Sequence, residues 1–144
     1  MASRSTSRGR VAAPADLLAA ASRVRANAHA PYSRFKVGAA LRASDGTVYA
    51  GCNVENAAYP QGWCAEASAI AALVGAGKKK VTECVVIGPG PEVITPCGGC
   101  RQKLREFATD DLRIHLCGPD GLHRTVTLGQ LLPLSFGPHN LHKP

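Results

Sequence analysis

The run Cys64-Ala65-Glu66-Ala67-Ser68-Ala69-Ile70-Ala71-Ala72-Leu73-Val74, closed by Gly75 and Gly77 and followed by Val81-Thr82-Glu83-Cys84-Val85-Val86-Ile87, sets the fold class. Small and apolar residues occupy nearly every face of the first segment, which predicts a helix buried all round and stopped by the glycines. The second segment has the apolar, β-branched character of a strand. Downstream, Pro89, Pro91 and Pro96 mark a loop, and a further helix starts near Cys97. In it Cys97, Cys100, Leu104 and Phe107 fall at helical spacing on one face, while Arg101, Lys103 and Arg105 point elsewhere, so both cysteines are expected to face inward. Leu112 to Cys117 reads as a strand, Arg124 to Thr127 as a weaker one beyond the Pro119-Asp120-Gly121 turn, and Leu131-Leu132-Pro133 ends a short helix.

Upstream, apolar positions from Asp16 to Ala28 recur with helical period, with Pro31 closing the helix. Phe35 to Leu41 and Thr47 to Val54 then read as two strands joined at Ser44-Asp45-Gly46 in a hairpin. Asn56 to Trp63, with Pro60 and Gly62, is a loop leading into the buried helix. Helices and strands that alternate in this way predict an α/β protein, a three-layer α-β-α sandwich around one mixed five-stranded sheet.

A length of 144 residues suits one domain, expected over 14–144 behind a basic, disordered tail at 1–13. No apolar stretch approaches the roughly 20 residues that a membrane-spanning helix needs. The net charge of +7 owes three charges to Arg4, Arg8 and Arg10, and Lys78, Lys79 and Lys80 read as a solvated turn, so nucleic acid is not an expected partner. No apolar segment follows the basic start, which argues against a secretory signal and for a cytoplasmic protein. An Arg- and Ser-rich start also fits a mitochondrial transit peptide, although a disordered tail accounts for it better. The 6 cysteines then point to metal binding or catalysis rather than disulfides.

Cys64 and Glu66 open one predicted helix, and Pro96-Cys97-Gly98-Gly99-Cys100 opens another. Free N–H groups at a helix start favour thiolates, and a Cys-x-x-Cys turn holds two sulfurs close enough to share a zinc ion at about 2.3 Å. Three sulfur ligands leave the fourth corner open for water, the mark of a catalytic zinc site, and Glu66 is placed to act as general acid and base. The alternative is a closed four-cysteine knuckle that recruits Cys52, Cys84 or Cys117, each of which lies inside a strand pattern without a partner at Cys-x-x-Cys spacing.

This spacing resembles the zinc nucleoside deaminases. Within them the chain is most similar to the cytidine deaminase family: Ala30-Pro31-Tyr32-Ser33-Arg34-Phe35-Lys36-Val37-Gly38-Ala39-Ala40-Leu41, Asn53-Val54-Glu55-Asn56-Ala57-Ala58-Tyr59-Pro60, Cys64-Ala65-Glu66, Thr95-Pro96-Cys97-Gly98-Gly99-Cys100-Arg101-Gln102, Leu131-Leu132-Pro133 and Phe136-Gly137 follow in the family's order. The resemblance implies hydrolytic deamination of cytidine and deoxycytidine to uridine and deoxyuridine, with release of ammonia, in pyrimidine salvage. It implies one Zn2+ per subunit on Cys64, Cys97 and Cys100, a metal-bound hydroxide attacking carbon 4 of the base, and Glu66 passing the proton to ring nitrogen 3 and the leaving amine. By the same likeness the Ala65 N–H binds the 2-carbonyl, the Thr95 carbonyl accepts from the amino group, Phe35 lines the base pocket, and Asn53 with Glu55 binds the ribose 3′-hydroxyl. Ala57, Tyr59 and Phe136 would complete a neighbour's pocket in a homotetramer.

Taken without that likeness, Asn53 and Glu55 also suit turn capping, and Phe35 also suits core packing. The chain departs from the family at Ala67, where an arginine is usual, and Ser68 follows. The charge of three thiolates is then expected to be offset by helix N–H donors or by a cation such as Arg101. Trp63, in the loop Gln61-Gly62-Trp63, has no role beyond filling space. Two rivals remain: a deaminase acting on a nucleoside-like antibiotic such as blasticidin S, and a zinc-stabilised nucleic-acid-binding module.

Overall fold

The computed structural model describes residues 12–141, so the tail expected at 1–13 lies almost wholly outside the described residues. The chain runs α1 (Ala15–Arg25), β1 (Gly38–Ala43), β2 (Val48–Cys52), α2 (Ala65–Gly75), β3 (Val81–Ile87), α3 (Gly98–Phe107), β4 (Arg113–Gly118), β5 (Gly121–Thr127) and α4 (Leu128–Leu131), with single 3-10 turns at Tyr59–Gln61 and Pro138–Asn140. The five strands form one sheet in the order β2-β1-β3-β4-β5. Only β3 and β4 pair parallel, with Cys84 opposite Ile114 and Val86 opposite Leu116; the other pairs are antiparallel. A parallel pair needs a crossover, and α3 supplies it.

Alternation along the strands sorts the core into two layers. Ala39, Leu41, Cys84, Val86, Ile114, Leu116 and Val126 face Ala69, Ile70 and Leu73 of α2, Leu104 of α3 and Leu128 of α4. Ala40, Val85, Ile87 and Cys117 face the other way, onto Leu17 and Ala21 of α1. The fold is therefore the expected α-β-α sandwich on a mixed five-stranded sheet. Among the described residues no helix is long and apolar enough to cross a membrane.

The end of α1, the start of β1 and the burial of α2 differ from expectation. α1 ends at Arg25 rather than Ala28, because the chain beyond it bonds across the molecule: His29 N–H donates to the Asn53 carbonyl at 3.1 Å and Glu55 N–H to the His29 carbonyl at 2.7 Å. β1 starts at Gly38 rather than Phe35, because the Asn53 side chain supplies the partners that a strand neighbour would. α2 is not covered all round: Ala65, Glu66, Ala67, Ala69, Ile70 and Leu73 are buried, while Ala71, Ala72 and Val74 form an exposed stripe.

Two glycines let helices approach the sheet on opposite faces. A Cβ on Gly38 would overlap the Ala21 carbonyl oxygen of α1, and a Cβ on Gly51 would overlap the Ala69 nitrogen and lie 2.6 Å from Ser68 Cβ of α2. Backbone cannot yield there as a flexible side chain would. Gly51→Ala is expected to destabilise the fold by about 3 kcal/mol, read as a lower urea midpoint with unchanged slope. Because Ser68 lies two residues beyond Glu66, the same change should displace the start of α2 and lower activity more than the stability loss alone explains.

Candidate active site

Cys64 and Cys97 are the N-cap residues of α2 and α3, each with extended backbone (φ −75°, ψ 154° and φ −63°, ψ 165°). Neither side chain turns back to cap its helix, so both sulfurs are free to point outward. Cys100, in the first turn of α3, is fully buried. The three Sγ atoms lie within 4.8 Å of one another, and Cys64 Sγ is 3.8 Å from Cys97 Sγ. Tetrahedral zinc with bonds of about 2.3 Å needs sulfurs about 3.8 Å apart, so the trio fits that ion. Cys64 and Cys97 are exposed, which corrects the expectation that Cys97 faces inward beside Cys100.

Cys52, Cys84 and Cys117 are outside this group; Cys84 packs in the α2 layer of the core and Cys117 on the α1 side. Among the described residues no fourth Cys, His, Asp or Glu joins the trio, which disfavours a closed knuckle. Burial pushes the Cys64 thiol up, and burial together with the Glu66 charge pushes Cys100 up as well. Burial acts upward on Cys97 too, but the Cys100 backbone N–H and the neighbouring sulfurs outweigh it, leaving that thiol below its usual value. One sulfur thus ionises more easily than the other two, and three thiolates together require a bound cation.

Glu66 is 5% exposed, and burial holds its carboxyl above the ordinary carboxylate range. It opens, with Phe35, Ala65, Thr95, Cys64 and Cys97, onto a cleft of about 350 Å³. A wider cleft of about 600 Å³, lined by Tyr32, Ser33, Glu55, Tyr59 and Trp63, adjoins it at Asn53 and Cys64. The expected site residues therefore gather in two connected hollows, except the buried Cys100 of the sulfur trio, Ala57 and Phe136, none of which lines either hollow. Tyr59, 74% exposed, borders its own chain's outer cleft with its ring 5.7 Å from that of Tyr32.

Asn53 and Glu55 are both engaged with the segment before β1. Asn53 Oδ1 accepts from Val37 N–H at 2.9 Å and its Nδ2 donates to the Phe35 carbonyl at 2.8 Å. Glu55 Oε1 accepts from the N–H groups of Tyr32 and Ser33 at 3.0 and 3.1 Å, and Oε2 accepts from the Ser33 hydroxyl. These bonds, the Ser33 hydroxyl foremost, hold the Glu55 carboxyl below its usual range. Loop bracing is thus present, and it places both side chains at the cleft.

Arg101 does not reach the sulfurs. Its Nε donates to the Pro96 carbonyl at 2.7 Å, Nη1 to the Leu131 carbonyl and Nη2 to Thr95 Oγ1, both at 2.8 Å, so it braces the Thr95-Pro96 loop. Of the two expected sources of compensation for Ala67, Arg101 therefore makes no bond to the sulfurs. Ala67 itself is 5% exposed. Sequence reasoning missed the bracing parts of Arg101 and Ser33, whose signal was present only as their places inside quoted motifs.

Residues 13–116 match the family model of the cytidine and deoxycytidylate deaminase zinc-binding region. A cytidine deaminase of Sporosarcina psychrophila is 38% identical over 125 residues, 87% of this chain and 92% of that protein. One of Mycobacterium tuberculosis is 41% identical over 117 residues, 81% and 84% of the two chains. The crystal structure of cytidine deaminase from Burkholderia pseudomallei matches with a TM-score of 0.79 at 42% identity, covering 84% of this chain and 97% of that one. Donor set and family agree on zinc as the cofactor. With its zinc-suited trio of sulfurs, its fold and these relatives, the chain belongs to the cytidine and deoxycytidylate deaminase family of zinc enzymes.

Proposed function

We propose that this chain hydrolyses cytidine and deoxycytidine to uridine and deoxyuridine, releasing ammonia, as a cytoplasmic step of pyrimidine salvage. The observation that carries this is the trio of sulfurs with no fourth protein donor among the described residues, beside a buried carboxyl in a cleft. Cys64, Cys97 and Cys100 would hold the metal, which when bound supplies Lewis acidity and a water acidic enough to be a nucleophile for carbon 4 near neutral pH. Glu66, with its raised affinity for a proton, would take one from that water and give it to ring nitrogen 3, then carry a second, from the hydroxyl added at carbon 4, to the leaving amine. Ala65, the first residue of α2, offers a helix-start N–H to the 2-carbonyl, and Thr95, braced by Arg101, offers its carbonyl to the amino group. Phe35 forms the apolar wall against the ring.

The sugar contact follows from counting unused hydrogen-bonding capacity. A carboxylate has about four acceptor sites and an amide nitrogen two hydrogens. Glu55 uses two sites on Oε1 and one on Oε2, and Asn53 uses one N–H, which leaves one acceptor and one donor on two side chains that line the same cleft. A hydroxyl, donor and acceptor at once, suits that pair; a 3′-phosphate would meet the Glu55 charge. A ribose 3′-hydroxyl is the natural occupant, and a free nucleoside rather than a polynucleotide is the substrate.

A homotetramer is proposed for the assembly, in which the exposed Tyr59 and Phe136, with Ala57, complete neighbouring pockets. The open stripe Ala71, Ala72 and Val74 on α2 gives such an assembly apolar surface to cover. The domain proper is taken as 14–144. Incubating the purified protein with cytidine, deoxycytidine and free cytosine, with zinc assayed per chain, tests the whole. Absorbance should fall for both nucleosides, with cytosine slower by about 10²-fold or more in kcat/KM; zinc-loaded protein inert on both nucleosides would refute the proposal.

A further inference from the structure

We propose that Ser33 is a positioning residue that couples recognition of the sugar to placement of the base wall, an inference resting on the nucleoside substrate proposed above. Its hydroxyl donates to Glu55 Oε2 and accepts from the Phe35 N–H at 3.0 Å. One oxygen therefore ties the carboxylate facing the sugar to the residue that walls the base. The backbone does the same from the other side, since Ser33 N–H donates to Glu55 Oε1.

The loop has a reason to need this tie. Arg34 adopts φ +59°, a left-handed conformation that costs a non-glycine residue free energy and persists only where neighbours impose it. Glu55 holds the loop just before Arg34, and the Ser33 hydroxyl closes a turn onto Phe35 just after it. Without that hydroxyl, Phe35 loses the acceptor for its N–H, and Oε2 loses the donor that orients its remaining lone pair toward the cleft. Ser33 is exposed, so its removal opens no cavity in the core. The effect should fall on binding geometry rather than on folding.

The probes are cytidine and 3′-deoxycytidine, with kcat and KM measured separately for wild type, Ser33→Ala and Ser33→Thr. Wild type should prefer the substrate that carries the 3′-hydroxyl. Ser33→Ala should raise KM for cytidine about tenfold with kcat within about threefold, and should shrink the preference for cytidine over its 3′-deoxy analogue about tenfold. Ser33→Thr, which keeps the hydroxyl, should restore most of that preference. If Ser33→Ala lost activity equally on both substrates, the coupling would be wrong while the sugar assignment stood. If wild type showed no preference at all, both would fall. Should Ser33→Ala not fold by circular dichroism, Ser33→Cys, similar in volume but a weak donor, takes its place under the same criteria.

Discussion

Glu66→Gln is expected to lower kcat on cytidine by about two to four orders of magnitude, the range assigned to a positioned general acid and base. Gln keeps the size of the side chain and its place in the first turn of α2, but it can neither take nor return a proton. The zinc content should stay at its wild-type value, because Glu66 is not among the clustered donors. Stability should not fall, since burial already disfavours the charged carboxylate and the substitution removes that cost. Kinetics, metal analysis and a thermal melt on one preparation check all three. A variant that kept a tenth or more of wild-type kcat would remove Glu66 from the chemistry, and a variant that lost zinc would make it a metal-site residue instead.

The second large effect belongs to Cys100→Ala. Cys100 is the fully buried member of the trio, and its loss leaves two sulfurs on separate helix starts. Zinc affinity should drop by about 10³-fold or more, and turnover should fall to background at zinc concentrations that saturate the wild type. Because a ligand present at about 1,000 times its Kd stabilises a fold by about 4 kcal/mol, the variant should also melt well below the zinc-loaded wild type and close to a chelator-treated sample. Cys52→Ala is the control: a half-buried thiol outside the trio, whose loss should leave metal and activity in place. Equal zinc loss in both variants would mean that the ion sits elsewhere.

Much of the architecture was open to reading along the chain. The near-continuous apolar runs of β1, β3 and β4, buried on both faces, and the apolar run of α2 report directly on what each segment packs against, which is why the mixed sheet and its layers could be anticipated. The errors came where a side chain replaced backbone. Phe35–Val37 has strand composition, yet Asn53 satisfies its N–H and carbonyl groups, and β1 begins only at Gly38. α1 was read too long because nothing local shows that the chain after Arg25 bonds to Asn53 and Glu55, far along the sequence.

The candidate site divides along the same line. Cysteines at a Cys-x-x-Cys turn and before a helix carry their chemistry in residue type and spacing, so the sulfur trio that could hold a metal was visible in the linear chain. Which thiols lie open, where Arg101 spends its donors, and how Ser33 joins Glu55 to Phe35 were not visible. Those facts depend on hydrogen bonds between residues distant in sequence, and the direction of such a bond is set only once the sheet and helices have packed around it. Local pattern registers what a residue can do; packing selects the partner it does it with.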